Sequence, residues 1–201
     1  MKTIYVIGPS HIHRKFLMQI RAQIRSKELF ENCKLEGYKG LPVWSRHIYE
    51  TIKKQTELGN DVIWMVSDYK FNNYDYPILK ETHAPMFLDT LGRGCNVSKD
   101  YMLPEHITVL GNHSLKVIDY IISEFPNVKL LFWCLYKRSR ANNSSYPRHL
   151  WYDEIVKRYS HNVIDIDNFT TPEEFDKCTR DKGGHPTVDG YKLLDKMIKS
   201  I

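Results

Sequence analysis

The sequence predicts an α/β fold in which a central parallel sheet of about five strands is covered by helices on both faces. Three observations carry that expectation. Short apolar runs alternate with stretches of helical periodicity along the 201 residues, the pattern that strand-helix-strand units leave in a chain. One run, Asp61-Val62-Ile63-Trp64-Met65-Val66, is apolar almost without a break, as a strand must be when neither face meets water. The first two runs end in turn residues, Gly8-Pro9-Ser10 and Gly37-Tyr38-Lys39-Gly40, at the carboxyl ends of strands, where an open parallel sheet carries its ligands.

The elements follow in order. Thr3 to Ile7 is a short apolar strand, and from Ser10 onward Phe16, Leu17, Ile20 and Ile24 recur at helical spacing with Arg and Lys between them. A second strand is expected around Cys33 to Glu36. Beyond the turn that ends at Pro42, Trp44, Ile48 and Ile52 mark a helix that closes near Leu58-Gly59-Asn60. The buried strand Asp61 to Val66 comes next. Residues 67 to 106 mix Asn, Pro, Gly and aromatics without lasting periodicity, and are expected to be an irregular insertion serving a site or a lid. Order returns with Leu115, Ile118, Ile121, Ile122 and Phe125 on one helix face, and Asn112 is read as the cap before it. Then come a strand from Lys129 to Tyr136, a helix with Trp151, Ile155, Arg158 and Tyr159 in phase, and a short strand from Asn162 to Ile166. A last helix carries Val188, Leu193, Leu194, Met197 and Ile198. The length suits one domain spanning residues 1–201.

Cys33, Cys95, Cys134 and Cys178 lack paired or metal-type spacing, which suits free thiols in a reducing compartment. The apolar run Ile4 to Ile7 is too short for a signal-peptide core or a membrane span, so a cytoplasmic location is expected, with no membrane partner. A formal charge of +5, from 29 basic and 24 acidic residues spread along the chain, permits an anionic substrate without demanding nucleic acid. The one dense basic cluster is Lys137-Arg138-Ser139-Arg140.

Chemistry concentrates at two places far apart in sequence. Ser10 follows the first strand, and His185 stands in Asp181-Lys182-Gly183-Gly184-His185-Pro186 before the last helix. A serine hydroxyl is a weak nucleophile at neutral pH and becomes effective beside a base, so the two residues mean more together than apart. Each also has a structural reading: Ser10 as a helix N-cap, His185 as a turn histidine.

These blocks resemble the SGNH hydrolases, also called the GDSL family, whose members have a three-layer flavodoxin-like fold. Gly8-Pro9-Ser10-His11 stands where that family carries its Gly-Asp-Ser-Leu nucleophile turn. Gly40, in Glu36-Gly37-Tyr38-Lys39-Gly40, stands at the glycine whose amide helps bind the oxyanion. The third family block, Gly-x-Asn-Asp, is replaced by Val66-Ser67-Asp68-Tyr69-Lys70-Phe71-Asn72-Asn73, and His185-Pro186-Thr187-Val188-Asp189-Gly190-Tyr191 looks very like the His-Pro-x-x-x-Gly-Tyr stretch. The resemblance implies Ser10 as nucleophile, His185 as base and Asp181 as the acid that orients it. Asp181 lies four residues before His185 rather than the family's three, a shift that a bulge at Gly183-Gly184 would absorb. The oxyanion would be held by the amides of Ser10 and Gly40 and by the side chain of Asn72. Asn72 suits that role better than Asp68, whose carboxylate would repel the charge; Asp68 is placed among substrate-binding residues. As structural readings, Asp181 is a solvated loop acid and Gly40 a turn glycine.

The activity so implied is that of a serine esterase on a small or carbohydrate-linked ester, working without cofactor or metal. Two alternatives stand beside it: an O-acyltransferase that passes the same acyl group to a glycan, and a catalytically inactive α/β protein that binds an anionic glycan or nucleotide. His11 and His13 form a His-x-His pair of the kind metal-dependent amidohydrolases use, but those barrels need about 250 residues and eight strand-helix units. His11 is therefore placed in the substrate pocket beside the nucleophile. Arg138 follows the fourth strand and would meet a phosphate or a sugar carboxylate, or else lie on a plain solvated loop.

Overall fold

The computed structural model describes residues 3–13, 29–66, 75–91, 104–133, 154–179 and 185–201. Five strands, β1 (Ile4–Pro9), β2 (Cys33–Tyr38), β3 (Asp61–Met65), β4 (Lys129–Leu131) and β5 (Val163–Ile164), form one sheet in the order β2-β1-β3-β4-β5. Every neighbouring pair is parallel. Among the described residues the helices are α1 (Arg46–Glu57), α2 (Tyr76–Leu79), α3 (Pro104–Glu124), α4 (154–158), α5 (Pro172–Lys177) and α6 (Val188–Ile198); the helix expected over Phe16 to Ile24 lies outside them. This is the expected α/β architecture with its parallel five-stranded sheet.

Alternation along the strands splits the core into two layers, one on each face. Tyr5, Ile7, Val62, Trp64, Val66, Leu130 and Phe132 point into the layer under α1 and α3. Val6, Ile63, Met65, Leu131 and Trp133 point into the other, which α5 and α6 cover with Phe175, Tyr191, Leu194 and Met197. Successive side chains of a strand face opposite ways, so a run apolar at every position is what two covered faces require. Each fully buried side chain of this kind stabilises the fold by about 1.5–3 kcal/mol.

The strand order matters for function. From β1 the chain passes to β2 on one side, then returns to place β3 on the other. The order reverses between β1 and β3, and the carboxyl ends of strands at such a reversal are the usual ligand position in this topology. Ser10 is the first residue beyond β1.

Several boundaries differ from the sequence reading. Among the described residues β4 pairs over Lys129–Leu131 and β5 over Val163–Ile164, while Cys134 to Tyr136 lie outside them. Beyond β5 the chain winds into a 3-10 turn, Ile166–Asn168, because the Asp165 side chain accepts from the Asp167 N–H. Asn112 is no helix cap: α3 starts at Pro104, and Leu110, Ser114, Val117, Ile118 and Ile121 form one buried stripe running past it. Helix α5 was not foreseen, although Thr171-Pro172-Glu173-Glu174 spells its start. Thr171 Oγ1 accepts from the Glu174 N–H while Glu174 accepts from the Thr171 N–H, a capping box with Pro172 in the first turn. Among the described residues no helix is long and apolar enough to cross a membrane.

His113 sets an acid limit on this fold. It lies 7% exposed on α3, donates from Nε2 to the Met86 carbonyl at 3.1 Å, and borders a cavity of about 370 Å³ between residues 79–86 and α3. Burial holds its pKa below the ordinary 6.5, Lys116 adds to the effect, and the Met86 carbonyl opposes it. The unfolded chain therefore binds this proton more tightly, so the stability His113 contributes is present above pH 6.5 and is lost as pH falls below it. Between about pH 7.5 and about pH 5 the unfolding temperature should drop more for the wild type than for His113→Gln. Equal drops would assign the acid sensitivity to other groups.

Candidate active site

The site begins with the way β1 ends. Pro9 is extended, at φ −74° and ψ −176°, and the chain then turns at once into a 3-10 segment, Ser10–Ile12, closed by the His13 N–H donating to the Ser10 carbonyl at 3.0 Å. Ile12 is fully buried in the layer under α6 and pins the turn. The N-cap of this turn is Pro9, and Ser10 is its first residue.

His185 arrives from the other end of the chain. Pro186 bridges Thr179, the Thr187 N–H donates to the Cys178 carbonyl at 2.9 Å, and the Thr187 hydroxyl donates to the Lys177 carbonyl at 3.0 Å. Thr187 also caps α6 by accepting from the Gly190 N–H. One buried bond joins the two ends directly: Tyr191, 2% exposed, donates from Oη to the His11 carbonyl at 2.9 Å.

The result is that Ser10 Oγ lies 3.2 Å from His185 Nε2 across 175 residues of sequence. Both side chains are half-buried. That separation is within reach of the proton transfer a serine nucleophile needs, and such bonds shorten further once substrate binds. The His185 ring packs face to face with His11, centroids 4.8 Å apart and planes 21° from parallel. His11 itself is 4% exposed.

Gly40 stands at the same end of the sheet. β2 pairs with β1 through Tyr38 opposite Pro9, so the Lys39-Gly40 turn follows β2 just where Ser10 follows β1. At φ +65° Gly40 occupies the left-handed region where a side chain would be strained. Asp181, Asn72, Asp68 and Arg138 lie outside the described residues. Among the described residues no cluster of three or more His, Cys, Asp or Glu side chains converges as metal ligands.

Two features were missed in the sequence. Glu36, in the strand before Gly40, accepts from Tyr5, from Tyr38 at 2.6 Å, and pairs with His47 Nε2 at 2.8 Å. Burial, with Glu36 beside it, pushes the Tyr38 phenol up to about 12. Tyr38 shares a strand face with Glu36 two residues away, while Tyr5 reaches it from β1 through the sheet pairing and His47 through the docking of α1. The other is the Tyr191 to His11 bond; the Gly190-Tyr191 pair signals packing in the last helix, which the structure has, but not that hydrogen bond. Tyr191→Phe removes this buried hydrogen bond to the His11 carbonyl, a loss of about 0.5–1.5 kcal/mol. Thermal unfolding checks it: an unchanged midpoint would mean that the bond contributes nothing.

No family model matches the chain, and no curated protein matches it. Solved structures do. An acetyl xylan esterase, AlAXEase, superposes with a TM-score of 0.51 at 15% identity, over 98% of both chains. LAE5, an alpha/beta hydrolase from the metagenome of Lake Arreo, Spain, gives 0.47 at 13% identity, over 98% of this chain and 92% of that one. A catalytic mutant of Axe2, an acetylxylan esterase from Geobacillus stearothermophilus, gives 0.44 at 15% identity, over 98% and 91%. At these identities the first match speaks for a shared fold, and the two lower scores add no argument.

Proposed function

We propose that the chain is an SGNH-type serine esterase acting on a small or carbohydrate-linked ester. The observation that carries this reading is the 3.2 Å approach of Ser10 Oγ to His185 Nε2, at the sheet end where this topology binds ligands. A carbohydrate ester is the substrate class to test first, because the matched fold includes a protein named as an acetyl xylan esterase.

In the reaction so proposed, Ser10 Oγ attacks the ester carbonyl as His185 Nε2 takes its proton. The resulting imidazolium then protonates the leaving alcohol, and water, deprotonated by the same ring, releases the acid from the acyl-serine. The Ser10 and Gly40 amides, with Asn72, hold the oxyanion. Asp181 orients His185, and each oxyanion donor contributes about 100- to 1000-fold in rate. Asp68 and Arg138 remain assigned to the substrate side, whereas His11, expected there from the sequence, is 4% exposed and stacks on the His185 ring.

The test is a panel of acetylated sugars and short acyl esters, with acid release measured beside acyl transfer to an added glycan, and labelling by a fluorophosphonate. Stoichiometric labelling with acid release is the expected result. Labelling with transfer in place of acid release would make the protein an acyltransferase using the same residues. A folded protein that neither labels nor turns over any ester would be the inactive binding protein.

A further inference from the structure

We propose that His11 is a positioning residue for the base: its ring is the platform that fixes the plane of His185 and stabilises the imidazolium formed when His185 takes the serine proton. The inference rests on the Ser10 and His185 reading and deepens it. Three observations support it. The two rings are stacked at 4.8 Å and 21°, within the range where aromatic faces attract. His11 is 4% exposed, so its ring is covered rather than open to solvent. Its backbone is fixed by Tyr191 Oη at 2.9 Å from its carbonyl, with Ser10 its immediate neighbour, so platform and nucleophile move as one piece.

The physical need is specific. Rotation about the bond to an imidazole ring has a broad, shallow energy profile, and turning that ring carries Nε2 away from Ser10 Oγ. A flat face alongside blocks the rotation without occupying either ring nitrogen of His185. When His185 becomes an imidazolium, the electron-rich face of a neighbouring aromatic ring attracts it, an interaction stronger in the transition state than in the resting enzyme. Contacts of that kind raise kcat and leave substrate binding unchanged.

The experiment compares His11→Leu, His11→Gln and His11→Phe with wild type, by steady-state kinetics on an ester and by rate of fluorophosphonate labelling. His11→Leu and His11→Gln remove the flat aromatic face, and should lower kcat and the labelling rate by about 10- to 100-fold, with KM within about twofold. His11→Phe keeps a flat face and should recover most of both. His11→Gln, close to His in size and polarity, keeps the test decisive if His11→Leu does not fold. A rise in KM at unchanged kcat would overturn the proposal in favour of a substrate contact. His11→Phe as slow as His11→Leu would overturn it in favour of a role for a ring nitrogen, and wild-type labelling rates in all three would overturn it outright. Failure of the wild type itself to label would instead remove the serine-nucleophile reading on which it rests.

Discussion

Ser10→Ala should eliminate fluorophosphonate labelling and lower ester turnover by on the order of 10⁴- to 10⁶-fold, while its unfolding temperature should stay within a few degrees of wild type. The asymmetry between activity and stability is the informative part. Ser10 Oγ faces His185 Nε2 at 3.2 Å, and the N-cap of the turn it begins is Pro9. The backbone of the turn is held by the His13 N–H, the Tyr191 hydroxyl and the buried Ile12 side chain, none of which the substitution touches. A half-buried hydroxyl removed from such a place changes stability by about 0.5 kcal/mol. His185→Ala should fall almost as far in turnover, because serine and base act as a unit, and the double variant should be little worse than either. Additive losses would mean that the two residues act separately, and undiminished turnover in Ser10→Ala would sink the acyl-serine mechanism.

Gly190→Ala is expected to damage the fold and the site together. Helix propensity alone favours alanine here, by up to about 1 kcal/mol, but the space is already taken. A Cβ at position 190 would overlap the Cys178 carbonyl oxygen and come within 2.9 Å of Pro186 Cβ. Neither can retreat cheaply, since that carbonyl accepts from the Thr187 N–H and Pro186 bridges Thr179. Overpacking against backbone costs about 3 kcal/mol or more. The net loss of at least about 2 kcal/mol corresponds to a fall of about 4–8 °C in the unfolding temperature for a chain of this size. Because the segment that must shift also carries His185, labelling should slow by about 100-fold even where the variant is folded. Calorimetry and labelling rate measure the two halves independently, and a midpoint at or above that of wild type would contradict the close approach of α6 to Cys178.

What could be read in the sequence divides along physical lines. Strands buried on both faces announce themselves, because Val62-Ile63-Trp64-Met65 must be apolar at every step. The turn at Gly40 was legible because a left-handed backbone restricts residue type locally, whereas Ser10 and Gly190 stood out through the resemblance of their blocks to a family. Helix α5 was equally local and readable from Thr171 to Glu174; it was missed by following apolar periodicity in a helix too short to show any. The start of α3 was misplaced for a related reason, since Gly111 and Asn112 suggest a break that the buried stripe around them overrides. The Glu36 cluster and the His11 stack are of another kind. They depend on register between strands and on where a distant helix docks, and neither leaves a periodic or spacing signal.

The bond from Tyr191 to His11 has a consequence for how activity first appears. Ser10 and His185 stand 175 residues apart, and closing so long a loop is an entropic cost met only when the contacts at its ends form together. A chain growing from its amino end presents β1, β2 and β3 before His185 is made, and Ser10 gains that partner only as α6 settles onto the sheet. On the proposed reading, competence for chemistry is the final event of folding. During refolding, covalent capture at Ser10 should lag behind the return of secondary structure, and so serve as a clock for the docking of the last helix.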